Sequence, residues 1–203
     1  CILLAAYPLS KTSKQFPKRS IFMWILVFCM LFNGGTVPWY ITMKGYGLVD
    51  SIWGLVLGMG LNAYNLILAV NFFKNLPAEL EEAALVDGAE PWKCLVLIFI
   101  PLAKPVIATI ALFTIVQYWN EFFRGMVLSA RQSNYPLQTY IQQLVVTYDF
   151  STMNVEQIAQ VQKLNNQSLD AAKIVIAMIP VLAVYPFLQK YFVTGITLGS
   201  IKG

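Results

Sequence analysis

The chain has 203 residues, 58% hydrophobic and 12% charged, with a mean hydropathy of +0.62 and a net charge of +4. A soluble globular domain carries about a quarter of its residues as charges, so this composition excludes an ordinary soluble domain and indicates an integral membrane protein. The chain has no histidine, which excludes histidine proton relays, histidine metal sites and histidine-based catalytic triads; its three cysteines (Cys1, Cys29, Cys94) are too few and scattered for a disulfide framework.

A helix that crosses a bilayer needs about 20 mostly apolar residues. Ile2 to Leu9 reads as the tail of one such helix, and with no initiator Met or signal-peptide pattern we expect an N-terminal truncation. The connector 10–20 follows, with Lys11, Lys14, Lys18 and Arg19. Ile21 to Tyr40 is predicted as a full span, ending at Gly34-Gly35 and the interfacial Pro38-Trp39-Tyr40. Residues 44–50 form a short turn, Ser51 to Phe73 the next span, and 93–123 contain another with Pro101 and Pro105 at its entry. Residues 131–170 are polar and mixed, and Ala171 to Phe192 is the last span, hinged by Pro180 and Pro186. The fold class is thus all-α, a polytopic transmembrane helix bundle. Four cations and no acids in the first connector place 10–20 in the cytoplasm. Counting crossings then puts 74–92 in the cytoplasm, 131–170 outside and the tail 193–203 inside.

Between two spans, residues 76–92 carry Glu79, Glu81, Glu82 and Asp87 in one short helical block. Carboxylates cost several kcal/mol within a bilayer, so the block lies in water. Gly88 allows a left-handed helix end, and Pro91 can open a further helix. Leu80, Ala83 and Ala84 supply a small apolar face, and Glu79, Glu82 and Glu90 polar contacts. The alternative is an amphipathic helix lying on lipid, but such helices favour Lys and Arg against anionic headgroups.

The sequence Glu82-Ala83-Ala84, three residues, Gly88, nine residues, then Ile98-Phe99-Ile100-Pro101 resembles the EAA loop of ABC importer permeases, with Ile100 where Leu is usual. The end of the chain, with Gly195, Thr197, Gly199, Lys202 and Gly203, is similar to the tail of carbohydrate-type permeases; a flexible polar tail is the alternative. AAYPLSK, FNGGTVPWY and NFFKNLPAELEEAALVDGA extend the resemblance over nearly the whole chain, toward permeases for oligosaccharides and lipo-oligosaccharides. The resemblance implies the type I importer permease fold. It also implies that Glu82, Ala83, Ala84, Asp87, Gly88, Ile98 and Pro101 form the ATPase-coupling region, and that Gly195, Thr197, Gly199 and Lys202 form an ATPase-contacting tail.

Asn62, Asn65, Gln117, Tyr118, Asn120 and Glu121 fall within predicted spans and are candidates for a wet path suited to sugar hydroxyls. For Glu121 the competing reading is pairing with Arg124, three residues on. Gly54, Gly58 and Gly60 would allow close helix approach. No phosphate-cradling Gly-rich loop with Lys occurs, so ATP and Mg²⁺ are expected on a separate subunit, with no cofactor in this chain. The expected function is a non-catalytic membrane subunit of an ATP-driven carbohydrate importer in the bacterial cytoplasmic membrane. The expected partners are a second, non-identical permease, two ATP-binding cassette subunits, an extracytoplasmic solute-binding protein and membrane lipid, with no nucleic acid. Within the class, a permease for amino acids or phosphate competes, but no Lys or Arg lies mid-span to meet an anion. A secondary transporter or channel that needs no ATPase competes from another class; against it stand the absence of a mid-membrane proton relay and the presence of the coupling-helix pattern.

Overall fold

Among the described residues, two helices form a tight pair with a buried alanine on each side. Ala6 of α1 (Ile2–Ser10) and Ala69 of α5 (Ala63–Lys74) are both fully buried, which lets the two backbones approach closely. Around them a core of Tyr7, Leu9, Leu66, Val70, Phe73, Cys94, Leu95 and Phe99 joins α1 and α5 to the helices that follow residue 90. This computed structural model describes residues 1–143, 154–156, 171–180, 182–183 and 185–186, and no strand occurs among them. The candidate tail residues Gly195, Thr197, Gly199 and Lys202 lie outside the described residues, as does most of 144–170.

Each of the three central predicted spans is interrupted. Residues 21–40 do not form one helix: α2 (Arg19–Leu31) and α3 (Thr36–Gly45) meet at 117°, across a break where Gly35 takes φ +84°. Residues 51–73 divide into α4 (Ile52–Leu57) and α5, separated by a stretch in which Gly60 takes φ +62°. Nothing lies within 4 Å of where a Gly60 side chain would stand, so Gly60 serves the break and not close packing. Residues 93–123 begin with α7 (Pro91–Cys94), widen into a π-helical turn (Leu95–Phe99) and continue as α8 (Ile100–Leu102). They then bend by 78° into α9 (Lys104–Trp119). Pro101 can neither donate to the carbonyl four residues back nor avoid crowding it, and a π turn is one way a helix absorbs that. No single described helix is long and apolar enough to cross a membrane; the two bent pairs, α2 with α3 and Pro91–Leu102 with α9, pass on length and composition together.

The outward surface is apolar. α2 buries none of its residues, and Trp24 and Leu31 are 72% and 82% exposed. A helix of that composition without a buried face is built for lipid or for a neighbouring helix. α12 (Ala171–Pro180) is likewise exposed along most of its length, and Trp119 Nε1 donates to Ala177 O (2.8 Å) to hold it to α9. α11 is Leu137–Gln143.

At one end of the bundle, Asp50 closes the turn after α3. Its φ is +58°, its N–H donates to Leu128 O (2.6 Å), and its carboxylate accepts from Arg131 Nε (2.7 Å), Asn134 Nδ2 (3.1 Å) and Ala130 N (3.3 Å). Leu128 ends α10 (Phe123–Leu128). Desolvation works to raise the carboxyl, but the Asn134 amide and the Arg131 guanidinium together hold it below the usual aspartate value of 3.8. A depressed folded value stabilises above the unfolded value and is lost as pH falls through the folded one. Asp50→Asn is therefore expected to melt below the native protein at neutral pH. The difference should disappear below the usual carboxylate range, as thermal unfolding across a pH series would record. A pH-independent difference would assign the loss to geometry instead of charge.

Candidate functional site

The acidic block folds as α6 (Ala78–Val86), with Glu79 and Glu81 in the first turn where the helix dipole favours them. Its end is a Schellman closure: Gly88 takes φ +77°, Gly88 N donates to Leu85 O (3.0 Å) and Ala89 N to Ala84 O (2.9 Å). Pro91 then opens α7 at its first helical positions.

α6 has two faces. Ala84 is buried against the bundle and Glu81 turns inward, whereas Glu79, Glu82, Ala83 and Asp87 are exposed. Val86 is 88% and Trp92 60% exposed, beside Leu80 and Leu85. The exposed surface of α6 thus interleaves acids with apolar residues, Val86 lying between Glu79 and Glu82 around the helix. Sequence reasoning assigned the apolar face to Leu80, Ala83 and Ala84 and missed Val86 and Trp92. Ala84 belongs to the inner face, and both residues were legible only as ordinary apolar positions. Ile98 packs against the core from the π-helical turn and Pro101 lies exposed in α8, so neither is part of α6.

Glu81 was counted with the other acids, but its role is internal. Glu81 Oε1 accepts from Lys11 Nζ (2.5 Å) and from Tyr7 OH (2.9 Å). Lys11 Nζ lies 3.7 Å from the centre of the Tyr7 ring and 4.5 Å from that of Phe99. Burial pushes the Lys11 ammonium below its ordinary value and Glu81 pulls it back.

The candidate path residues separate into two groups. Asn62, Gln117 and Tyr118 line a cavity of about 830 Å³ that is otherwise mostly apolar, and Thr114, which sequence reasoning did not single out, joins them. Asn62 Nδ2 donates to Gln117 Oε1 (3.2 Å), and Asn62 Oδ1 caps α5 by accepting from Asn65 N (3.2 Å). Tyr118 OH donates to Val56 O (2.7 Å) at the α4–α5 break. Asn65 is 1% exposed behind this wall; its Nδ2 reaches Thr114 Oγ1 (3.4 Å), while its Oδ1 has no donor among the described residues. Asn120 ends α9, and Glu121 lies beyond it, outside that cavity's lining. Glu121 pairs through Oε2 with Arg124 Nη1 and accepts from Arg124 N through Oε1 (2.8 Å). Both carboxylate oxygens are engaged within the chain, as the pairing reading requires. Glu121→Gln is accordingly expected to cost about 1 kcal/mol or less and to leave uptake little changed. A large loss of uptake with normal assembly, measured in vesicles, would instead put Glu121 on the path.

Among the described residues, the chain is thus a bundle of broken, largely apolar helices with one acidic helix at its surface. The chain belongs to the family of binding-protein-dependent transport system inner membrane components, whose model matches residues 17–198. It is 42% identical over 198 residues to protein LplC of Bacillus subtilis (strain 168), covering 98% of this chain and 66% of that one. It is 40% identical over 200 residues to the polygalacturonan/rhamnogalacturonan transport system permease protein YtcP of the same organism, covering 98% and 69%. Among solved structures, a bacterial ABC transporter involved in the import of the acidic polysaccharide alginate matches with a TM-score of 0.81 and 38% identity, over 94% of this chain and 67% of that one. The fold is that of a type I ABC importer permease. The chain spans about two thirds of the length of these relatives.

Proposed function

We propose that the chain is a non-catalytic, multi-pass permease subunit of an ATP-driven importer in the bacterial cytoplasmic membrane. Its cargo is an oligosaccharide or polysaccharide fragment handed over by an extracytoplasmic solute-binding protein. The observation that carries the reading is α6: an acidic helix closed by Gly88 and backed by the core, whose exposed Leu80 and Val86 need a partner. α6 acts as the coupling helix and docks on one of two ATP-binding cassette subunits, which hold the ATP and Mg²⁺. A second, non-identical permease completes the pathway. Residues 10–20, 76–92 and the tail 193–203 face the cytoplasm, and 131–170 face the binding protein. When ATP closes the ATPase dimer, α6 moves with it and the bundle turns from inward-facing to outward-facing. The kinship with transporters named for polygalacturonan, rhamnogalacturonan and alginate supports a polysaccharide-derived cargo. The cavity carrying Asn62, Thr114, Gln117 and Tyr118 offers the amide and hydroxyl groups that sugar hydroxyls require.

Purification through a tag on this chain is expected to bring down a second permease and an ATPase. Vesicles holding the complex and its binding protein should accumulate oligogalacturonate, alginate oligomers or maltodextrin only with ATP inside the compartment that the ATPase faces. Uptake without ATP, or a transport-competent preparation of this chain alone, would overturn the reading.

A further inference from the structure

Of the four acids at 79–87, Glu81 alone turns inward, and it is bonded by two residues of α1, over an aromatic seat completed by the π-helical turn. Lys11 is the residue at which α1 ends, Tyr7 lies one turn earlier on α1, and Phe99 is the last residue of the π-helical turn. The Lys11 and Glu81 side chains are only 12% and 16% exposed, so the pair is enclosed rather than loosely solvated. Tyr7 and Phe99 meet edge to face with ring centres 4.9 Å apart, and Phe73 of α5 meets Phe99 at 5.4 Å. The ammonium thus sits on an aromatic seat shared by α1, α5 and the π-helical turn.

Around this seat α6 is thinly supported. Ala84 is its one buried residue. A cavity of about 490 Å³ opens on one side of the pair, between Leu4, Phe16, Leu85 and Trp92, and one of about 200 Å³ on another, between Thr12, Lys74 and Glu82. A helix with hollow flanks and a single charged anchor can tilt as a body, and a force on its outer face reaches the bundle through that anchor. An ion pair this little exposed resists separation, since parting it leaves two partly desolvated charges without their partner. The π-helical turn beneath has poorer hydrogen-bond geometry than an α-helix and is a place where a helix can give.

We propose that the Lys11–Glu81 pair is the joint through which displacement of α6 is passed to α1. Tyr7 and Phe99 act as positioning residues that hold the ammonium over the seat. The inference rests on the reading of α6 as the ATPase-facing helix. It adds that movement of α6 reaches α1 by a contact 70 residues apart in sequence, and not only through the covalent links of α6 to α5 and α7. It also separates coupling from docking: the outward face seats the ATPase, and the inward Glu81 transmits the movement.

The test follows movement, so it needs no transported ligand. Spin labels are placed at Ser13→Cys, Glu79→Cys and Ser133→Cys, in pairs, in the purified complex with Cys1 and Cys29 replaced by Ser; positions 13, 79 and 133 are exposed. Distances are read without nucleotide and in the ADP–vanadate state trapped after hydrolysis of ATP. In the native background the 79–133 and 13–133 distances are expected to shift together while 13–79 holds. In Glu81→Gln, the 79–133 shift should persist while the 13–133 shift falls by half or more and the 13–79 distribution broadens. Coupling free energies of this kind correspond to about 5- to 150-fold in linked equilibria, so ATP-driven turnover per transport cycle should rise by about 10-fold in the same variant. Lys11→Arg should behave as native, and exchanging the charges in Lys11→Glu/Glu81→Lys should restore joint movement. A full 13–133 shift in Glu81→Gln, or a changing 13–79 distance in the native protein, would overturn the joint. Lack of any 79–133 shift in the native complex would overturn the ATPase-facing reading of α6 itself, and the joint with it. A pull-down separates the two cases, because loss of the joint leaves the ATPase bound.

Discussion

Gly88→Val is expected to abolish transport while leaving the chain inserted in the membrane. Gly88 sits at φ +77°, and a side chain built there meets nothing within 4 Å of its own chain. The substitution therefore causes no internal clash and has no reason to disturb the core. Its cost is conformational: about 1–2 kcal/mol for a left-handed L-residue, with a β-branched one at the unfavourable end. The cheapest escape is for the backbone to leave the left-handed region. That breaks the bonds from Gly88 N to Leu85 O and from Ala89 N to Ala84 O, and re-aims the chain before Pro91. The outward face carrying Leu80, Val86 and Trp92 would then lose its fixed relation to the bundle. Asparagine adopts the left-handed conformation far more readily, so Gly88→Asn is the control. If conformation is what matters, Gly88→Asn retains most of the uptake that Gly88→Val loses, at equal membrane abundance and ATPase retention. Equal loss in both variants would mean that the partner surface tolerates no side chain at this position. Full transport in both would show that α6 is not the coupling element.

How much of this was readable in advance depends on whether the signal was local. The end of α6 was legible, because a glycine after an acidic helix and a proline three residues later are local instructions, and the chain obeys them. The all-helical class and the apolar skin followed from composition, since 58% hydrophobic residues with 12% charges leave little else to build. The spans were read too smoothly. Summed hydropathy registers how much apolar chain is available and passes over where it bends; Gly34-Gly35, Gly60 and Pro101 marked every break, yet were absorbed into span ends and packing. The grouping of the candidate path residues was half legible. Asn62 looked like an intramembrane oddity because a helix start was not foreseen at 63, and its capping of α5 appears only once the break at 58–62 is known. Glu81 was not legible at all. Nothing in the periodicity of 78–86 distinguishes it from Glu82, and its partner Lys11 was read only as a topogenic charge in a connector.

Gly54→Ala is expected to be strongly destabilising. Gly54 is buried in α4, and a methyl group there would fall on the carbonyl oxygen of Leu48, with Leu48 C at 3.1 Å and Leu128 Cδ1 at 3.5 Å. The obstacle is mainly backbone, so no rotamer change relieves it. Leu48 is held in turn by its N–H bond to Met43 O (3.0 Å), and two residues later Asp50 anchors the same turn to Leu128 O (2.6 Å). Moving the Leu48 carbonyl therefore pulls on the Asp50–Arg131–Asn134 cluster as well as on α10. Overpacking of this kind costs about 1–3 kcal/mol, and the upper end applies where a backbone atom must give way. Gly45→Ala supplies the contrast. Gly45 ends α3 with nothing within 4 Å of the added carbon and no left-handed φ. There alanine should be neutral or stabilise by about 0.4–1 kcal/mol, by narrowing the unfolded ensemble. Thermal melting of the two detergent-solubilised variants, followed by retention of the monodisperse complex, reads the difference directly. Gly54→Ala melting at or above the native protein would show that the turn at 46–50 is not seated on α4. A loss of stability in Gly45→Ala equal to that in Gly54→Ala would refute the assignment of the effect to the Leu48 carbonyl.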